Sequence, residues 1–250
     1  MKHLLILLTA CALCATGVFA DTLLNIDFEN PPYTLGTLDG QQLWTPYPGF
    51  PPPDGNVVNS SPTPSQGSQC ALLVSTSQTF CAEMYDMSDV VNDSTFNTNT
   101  HYLRITADVW ADSAYNGIDM RNNIADRVRL VLFGIWEGAA TNAALSGAEG
   151  QGIVVPVVPK TWNQLSVLLD CKNRKVLEFS ANGTTLNPTD FSMGGTAPYP
   201  QMMRISTDNS DLSDRKQTAF DAIWVTTEPI PEPGMIGAVV LGLLLLKRRK

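Results

Sequence analysis

The chain alternates between apolar and polar positions over much of its length. Leu24, Ile26 and Phe28 fall on one side of a period-two pattern, and Asn25, Asp27 and Glu29 on the other. That period predicts a half-buried strand over Leu23–Glu29. Leu103–Trp110 repeats it, with Leu103, Ile105, Ala107 and Val109 opposite Arg104, Thr106 and Asp108. Short apolar runs predict further strands at Ala71–Ser75, Val128–Trp136, Met203–Ser206 and Phe220–Thr227, with a shorter one at Asn56–Asn59. Trp162–Asp170 and Lys175–Ser180 flank Cys171-Lys172-Asn173-Arg174, a four-residue hairpin connection, and Asn182-Gly183 marks the next tight turn. No window carries a helical stripe: the best, Ala139–Ala148, holds Gly and Asn and has no apolar face. Many short strands separated by turn residues predict an all-β chain, a single sandwich or jelly roll over residues 21–230. Tyr33–Gln69 is rich in Pro, Gly, Ser and Asn and is longer than an ordinary connection. It is expected to hide short strands or to form a functional surface loop.

The two ends break the pattern. Met1–Ala20 has a short basic start at Lys2 and His3, an apolar stretch, and Val18-Phe19-Ala20 before Asp21. This is the layout of a secretory signal peptide cut between Ala20 and Asp21. Leu8-Thr9-Ala10-Cys11 also fits a lipobox, which would place a lipid on Cys11. At the other end, Pro231-Glu232-Pro233-Gly234 precedes an apolar run from Met235 to Leu246 and the cluster Lys247-Arg248-Arg249-Lys250. Twelve apolar residues in a helix span about 18 Å, against the ~30 Å core of a bilayer. The run is long enough for a temporary hold in the membrane and short for a permanent one, with the basic end on the cytoplasmic side.

Those last twenty residues resemble the PEP-CTERM sorting signal of bacterial proteins handled by exosortases. The resemblance rests on the Pro231-Glu232-Pro233 tripeptide, the apolar segment, the terminal cations and their order. It implies signal peptidase and an exosortase-like membrane protease as partners, and transient insertion through residues 235–246. It also implies final placement at the cell surface or in an extracellular matrix, where exopolysaccharide is the associated material.

Composition narrows the partners of the middle. The whole chain carries −8. Without Lys2, Glu232 and the four terminal cations, eleven Lys/Arg face twenty-three Asp/Glu, a net −12. Such a surface excludes nucleic acid, which needs a basic stripe, and is unsuited to anionic lipid. It is compatible with divalent cations and with sugars. Cys70, Cys81 and Cys171 remain after export. Cys70 and Cys81 are close enough in sequence to bridge a hairpin, Cys171 is an alternative partner for either, and three buried thiols are the other reading.

Two segments resemble concanavalin A-like, laminin-G-type jelly rolls. One is Trp162–Asp170 with its hairpin and Asn182-Gly183. The other is Ile26-Asp27-Phe28-Glu29 followed by Gly36–Gln41 and Trp44. The resemblance directs attention to a structural calcium between first and last strands, where Asp27, Glu29 and Asp221 are the candidate ligands. Asp208–Asp214 has acidic spacing but lacks the Gly and Glu of an EF-hand. For sugar stacking the candidates are Trp44, Tyr47 and Phe50 in the early loop, and Tyr115 beside Asn116; Trp110, Trp136, Trp162 and Trp224 read as core.

Candidate catalysis is sparse. His101 is the one histidine after Ala20, and no Gly-x-Ser-x-Gly elbow is present. Asp108 with Asp112, or Asp27 with Glu29, are the nearest carboxylate pairs for a glycoside hydrolase. The expectation is therefore an exported, non-catalytic, lectin-like β-sandwich. The alternatives are a carbohydrate-binding module with a defined glycan and, ranked below it, a divergent jelly-roll hydrolase. Intact-mass analysis of the exported protein tests the ends. It should begin at Asp21 without lipid and stop between Pro231 and Gly234; a lipid on Cys11 or a retained Lys250 contradicts the assignment.

Overall fold

The computed structural model describes residues 20–48, 56–58, 62–75, 81–112, 116–123, 125–136, 141–147, 152–207 and 216–231. The signal segment, the sorting tail, Phe50 and Tyr115 lie outside these residues. No helix among the described residues is long and apolar enough to cross a membrane.

The described residues form sixteen strands. In chain order they are β1 (Thr22–Ile26), β2 (Gly36–Thr37), β3 (Trp44–Pro46), β4 (Asn56–Val58), β5 (Cys70–Ser75), β6 (Cys81–Asp86), β7 (His101–Ala111) and β8 (Asn116–Arg121). They continue with β9 (Arg129–Trp136), β10 (Asn142–Ser146), β11 (Gly152–Pro156), β12 (Trp162–Asp170), β13 (Lys175–Ala181), β14 (Thr184–Leu186), β15 (Met202–Thr207) and β16 (Lys216–Pro229). One sheet runs β14-β13-β12-β7-β16-β5-β4-β2, with β1 also on β16; the other runs β11-β10-β9-β8-β15-β6-β3. Every pairing is antiparallel.

The two sheets bury facing sides against each other. Leu103, Ile105 and Ala107 of β7 lie opposite Leu169, Val167 and Leu165 of β12, and all six are fully buried. From the second sheet Ile118, Met120, Phe133, Ile135, Met203 and Ile205 complete the same core. Strict alternation then places Asp119, Arg121 and Arg204 on the outer side of that sheet. Expectation and structure agree on an all-β sandwich in which first and last strands meet: Leu24 pairs with Val225 and Ile26 with Ile223.

Several details differ from the sequence reading. β6, β8, β10 and β11 lack a clean apolar alternation: the outward positions of β6 and β8 include Ala82, Met84, Gly117, Asp119 and Arg121, and those of β10 and β11 include Ala144, Gly152 and Val154, rather than an ordinary polar face. No disulfide joins Cys70 to its candidate partners: Cys70 and Cys171 are buried thiols, and Cys81 is buried with its sulfur 3.8 Å from the Val74 carbonyl. Burial, with Asp221 and Glu29 near Cys70 and Asp170 near Cys171, pushes both of those thiols up to about 12. They stay protonated and unreactive. Trp110 and Trp162 are not core. They form a half-buried cross-strand pair on the outer side of the larger sheet, and Trp224 is 36% exposed.

One inward position carries a charge-bearing group. Glu83 sits opposite Ile205 on β15 and Pro46 on β3, is fully buried, and neither carboxyl oxygen has a hydrogen-bond partner. Burial, with a smaller contribution from Asp39, pushes its pKa up to about 7. The unfolded chain releases this proton near the ordinary value of 4.5 and the folded chain holds it until about 7. Stability from this group therefore falls as pH rises from 4.5 to 7 and stays reduced above that. The gap between those two values corresponds to roughly 3 kcal/mol. Glu83→Met should remove that slope and exceed the parent in stability at pH 8 by up to about 3 kcal/mol in urea unfolding. An unchanged slope between pH 4.5 and 7 would show that Glu83 is not buried as an acid.

Candidate ligand-binding face

The first candidate constellation was the convergence of Asp27, Glu29 and Asp221. The structure brings Glu29 and Asp221 to one segment, Ser65–Gln69, but through donors. Glu29 accepts from the Ser68 and Gln69 amides at 2.7 and 2.8 Å and from the Ser68 hydroxyl at 2.8 Å. Asp221 accepts from the Ser65 hydroxyl at 2.9 Å and from the Gln66 and Ala222 amides at 3.0 and 2.8 Å. Asp27 accepts from the Glu29 amide at 3.1 Å. Gly67, at φ 60°, lies flat on the Glu29 carboxylate, where an added Cβ would stand 2.3 Å from Oε1. These oxygens face the positive ends of N–H and O–H dipoles, the wrong sign for a cation, so the donor set does not fit calcium. No group of three His, Cys, Asp or Glu among the described residues suits a metal. The carboxylates act as pins: together with Trp162, whose Nε1 donates to the Thr63 carbonyl at 2.5 Å, they fasten the 62–69 segment onto the larger sheet. Burial opposes ionisation of Glu29, but the three donors outweigh it and its pKa is lowered. Burial dominates at Asp221, and its pKa is raised.

The aromatic candidates separate by strand parity. β3 is an edge strand on β6, with Trp44 opposite Tyr85 and Thr45 opposite Met84. Trp44 therefore points inward. It is fully buried, stacks with Phe28 at 6.0 Å, and donates from Nε1 to the Tyr33 hydroxyl at 3.1 Å. As a sugar platform Trp44 is corrected to core. Tyr47, three residues on, extends the ladder by one amide bond to the Ala82 carbonyl at 3.0 Å and points to the opposite, outer side.

There Tyr47 meets arginines. Arg204 of β15 lies over its ring at 4.9 Å, Arg121 of β8 at 5.2 Å and Arg127 at 5.8 Å. Arg121 also donates from Nη1 to the Tyr47 hydroxyl at 3.1 Å. Beneath them Asp119 is fully buried, and its Oδ2 accepts from Arg121 Nε and Nη2 at 3.0 and 2.6 Å, Arg204 Nη2 at 2.6 Å and Arg129 Nε at 3.2 Å. Its Oδ1 accepts nothing. Arg127 is placed by the turn between β8 and β9. Asn122 Oδ1 accepts from the Val128 amide at 2.7 Å, Asn123 Oδ1 from the Asp126 amide at 2.8 Å, and the Arg127 carbonyl accepts from Arg121 Nη1. Burial brings the Arg204 guanidinium down to about 10, with Arg121 and Arg129 pressing the same way against the opposing pull of Asp119 and Tyr47. It remains charged at neutral pH.

None of the four arginines was legible as a site in the sequence. The available signal was Asp119-Met120-Arg121, charges at i and i+2 within an otherwise apolar segment. His101 is bound at Nδ1 to the Thr100 hydroxyl at 2.8 Å, and Asp112 accepts from the Gln217 amide at 2.9 Å. Among the described residues neither is hydrogen-bonded to a second group that would make a catalytic pair.

No family model and no curated protein sequence matches the chain. Solved structures match in fold. A sialidase aligns with a TM-score of 0.55 at 8% identity over 82% of this chain. The binding domain of botulinum neurotoxin DC in complex with SialylT aligns at 0.51 and 9% identity over 84%. A carbohydrate esterase from the Shiga toxin-encoding bacteriophage phi24B aligns at 0.50 and 11% over 84%. The chain spans 18% of the sialidase, 48% of the neurotoxin chain and all of the esterase chain. The shared feature is a jelly-roll-like sandwich of two antiparallel sheets.

Asp119→Asn should destabilise the protein by about 3–5 kcal/mol, because it leaves Arg121 and Arg204 buried without their counter-charge. Chemical denaturation measures this; a loss under 1 kcal/mol would mean the guanidiniums are compensated elsewhere.

Proposed function

We propose that this chain is an exported, non-catalytic, lectin-like β-sandwich that binds carbohydrate at the cell surface or in an extracellular matrix. The observation that carries the reading is the outer face of the smaller sheet. Half-buried Tyr47 and the guanidiniums of Arg121, Arg127, Arg129 and Arg204 converge there on rigid strands. Long forked donors held in place by an aromatic ring suit recognition of hydroxyls and anionic groups. The neighbours in fold include a neurotoxin binding domain in complex with SialylT and two proteins named for action on sugars, which supports a sugar ligand.

The non-catalytic part rests on geometry. Asp221, across β7–β16 from Asp108, is sealed beneath Ser65 and Gln66, and Glu29 is occupied by amides, so neither is available as a glycosidase acid. Delivery follows from the ends of the chain. The signal segment exports it, the PEP-CTERM-like tail holds it in the inner membrane, and an exosortase-like protease releases it into exopolysaccharide.

A glycan array tests the binding reading. Binding should appear for a defined set of glycans and fall at least about tenfold in Tyr47→Ala. Absence of binding to every glycan leaves only a structural role. Hydrolysis of a polysaccharide panel, lost in Asp108→Asn, would make the protein an enzyme.

A further inference from the structure

Four cations gather around one anion in a domain that is otherwise acidic. Arg121, Arg127, Arg129 and Arg204 are four of the eleven Lys and Arg residues between Asp21 and Ile230. Asp119 bridges the first, third and fourth of them, and it does so through a single oxygen. Among the described ion pairs the cluster therefore sets three guanidiniums against one carboxylate, while the whole domain carries −12. Buried like charges repel more strongly than exposed ones, and three guanidiniums meet here within bonding distance of one carboxylate oxygen. An arrangement kept against that cost favours an anion that completes it.

The Tyr47 ring has three guanidiniums over it, so it is not a bare platform for a pyranose. It instead orients planar forks. Arg204 and Arg121 are largely buried, whereas the Arg129 side chain is 38% exposed and Arg127 is half-buried. The exposed pair sits at the rim, where an incoming group meets it first.

From this we infer that the ligand is an anionic saccharide, held by its carboxylate or sulfate on Arg127 and Arg129 beside Tyr47. The inference rests on the carbohydrate-binding reading and narrows it to acidic sugars. The overall field of the domain repels polyanions, so attraction to one has to come from this face.

Affinity electrophoresis of the full-length protein tests the assignment. The gels contain a linear polyuronate, dextran sulfate or neutral dextran. The protein should be retarded by at least one of the two charged polymers and not by dextran, and the retardation should weaken as salt rises. The two charged gels distinguish a carboxylate from a sulfate as the recognised group. Arg127→Gln with Arg129→Gln should lower the affinity about tenfold or more, while the far-side change Lys172→Gln leaves it unchanged. Arg127→Lys in the Arg129 parent should retain part of the binding, since it keeps the charge and loses the fork. A melting curve for each variant separates lost binding from lost folding. Retardation in dextran that is insensitive to both arginines overturns the anionic assignment and leaves carbohydrate binding standing. No retardation in any gel, together with a blank glycan array, overturns both.

Discussion

The Asp119 carboxylate is the constraint on which the outer face of the smaller sheet depends. A buried anion is costly unless donors surround it, and its Oδ2 is met by three guanidiniums from β8, β9 and β15. Because those strands are rigidly paired, the arginines that satisfy Asp119 are also fixed relative to one another. Tyr47, brought over from the edge strand β3, caps the group by lying among the same guanidiniums. Removing the carboxylate would leave repelling cations with no reason to stay together, so the carboxylate stabilises both the sheet face and the site.

The larger sheet solves a different problem with the same chemistry. Glu29 follows the first strand and Asp221 lies in the last, and both hold the Ser65–Gln69 segment through backbone amides. This arrangement joins the first and last strands to a segment that Trp162 also holds, through the Thr63 carbonyl. Arg104 is tied on the same side to Glu178 and Glu228, with Ser166 completing its bonds. Here two carboxylates meet one guanidinium, whereas on the other sheet one carboxylate meets three, and that contrast makes the arginine face distinctive.

How much of this was visible in the sequence depended on where the polar residues point. β1, β7 and β12 were legible because their outward residues are ordinary polar ones and their inward residues are Leu, Ile and Val. β8 was missed because Asn116-Gly117 opens it and its outward Asp119 and Arg121 are buried, so the usual contrast between faces is absent. β6 was missed because Glu83 stands at an inward position. The meeting of first and last strands was foreseen, but the carboxylates there were candidates for a cation, whereas Glu29 is met by amides from a segment 40 residues on. Tyr47 was a candidate from the start and Trp44 was another; only pairing to β6 shows that three residues of separation put them on opposite sides of the sheet.

The central claim is that Arg127 and Arg129 receive an anionic sugar beside Tyr47. The most direct measurement is an NMR titration of the arginine Nε–H resonances with a short oligouronate and with its sulfated and neutral counterparts. The account predicts saturable shifts of Arg127 and Arg129, smaller ones for Arg121 and Arg204, and none for Arg104 or Arg174. Uniform shifts across all arginines, or shifts equal with the neutral sugar, would contradict it.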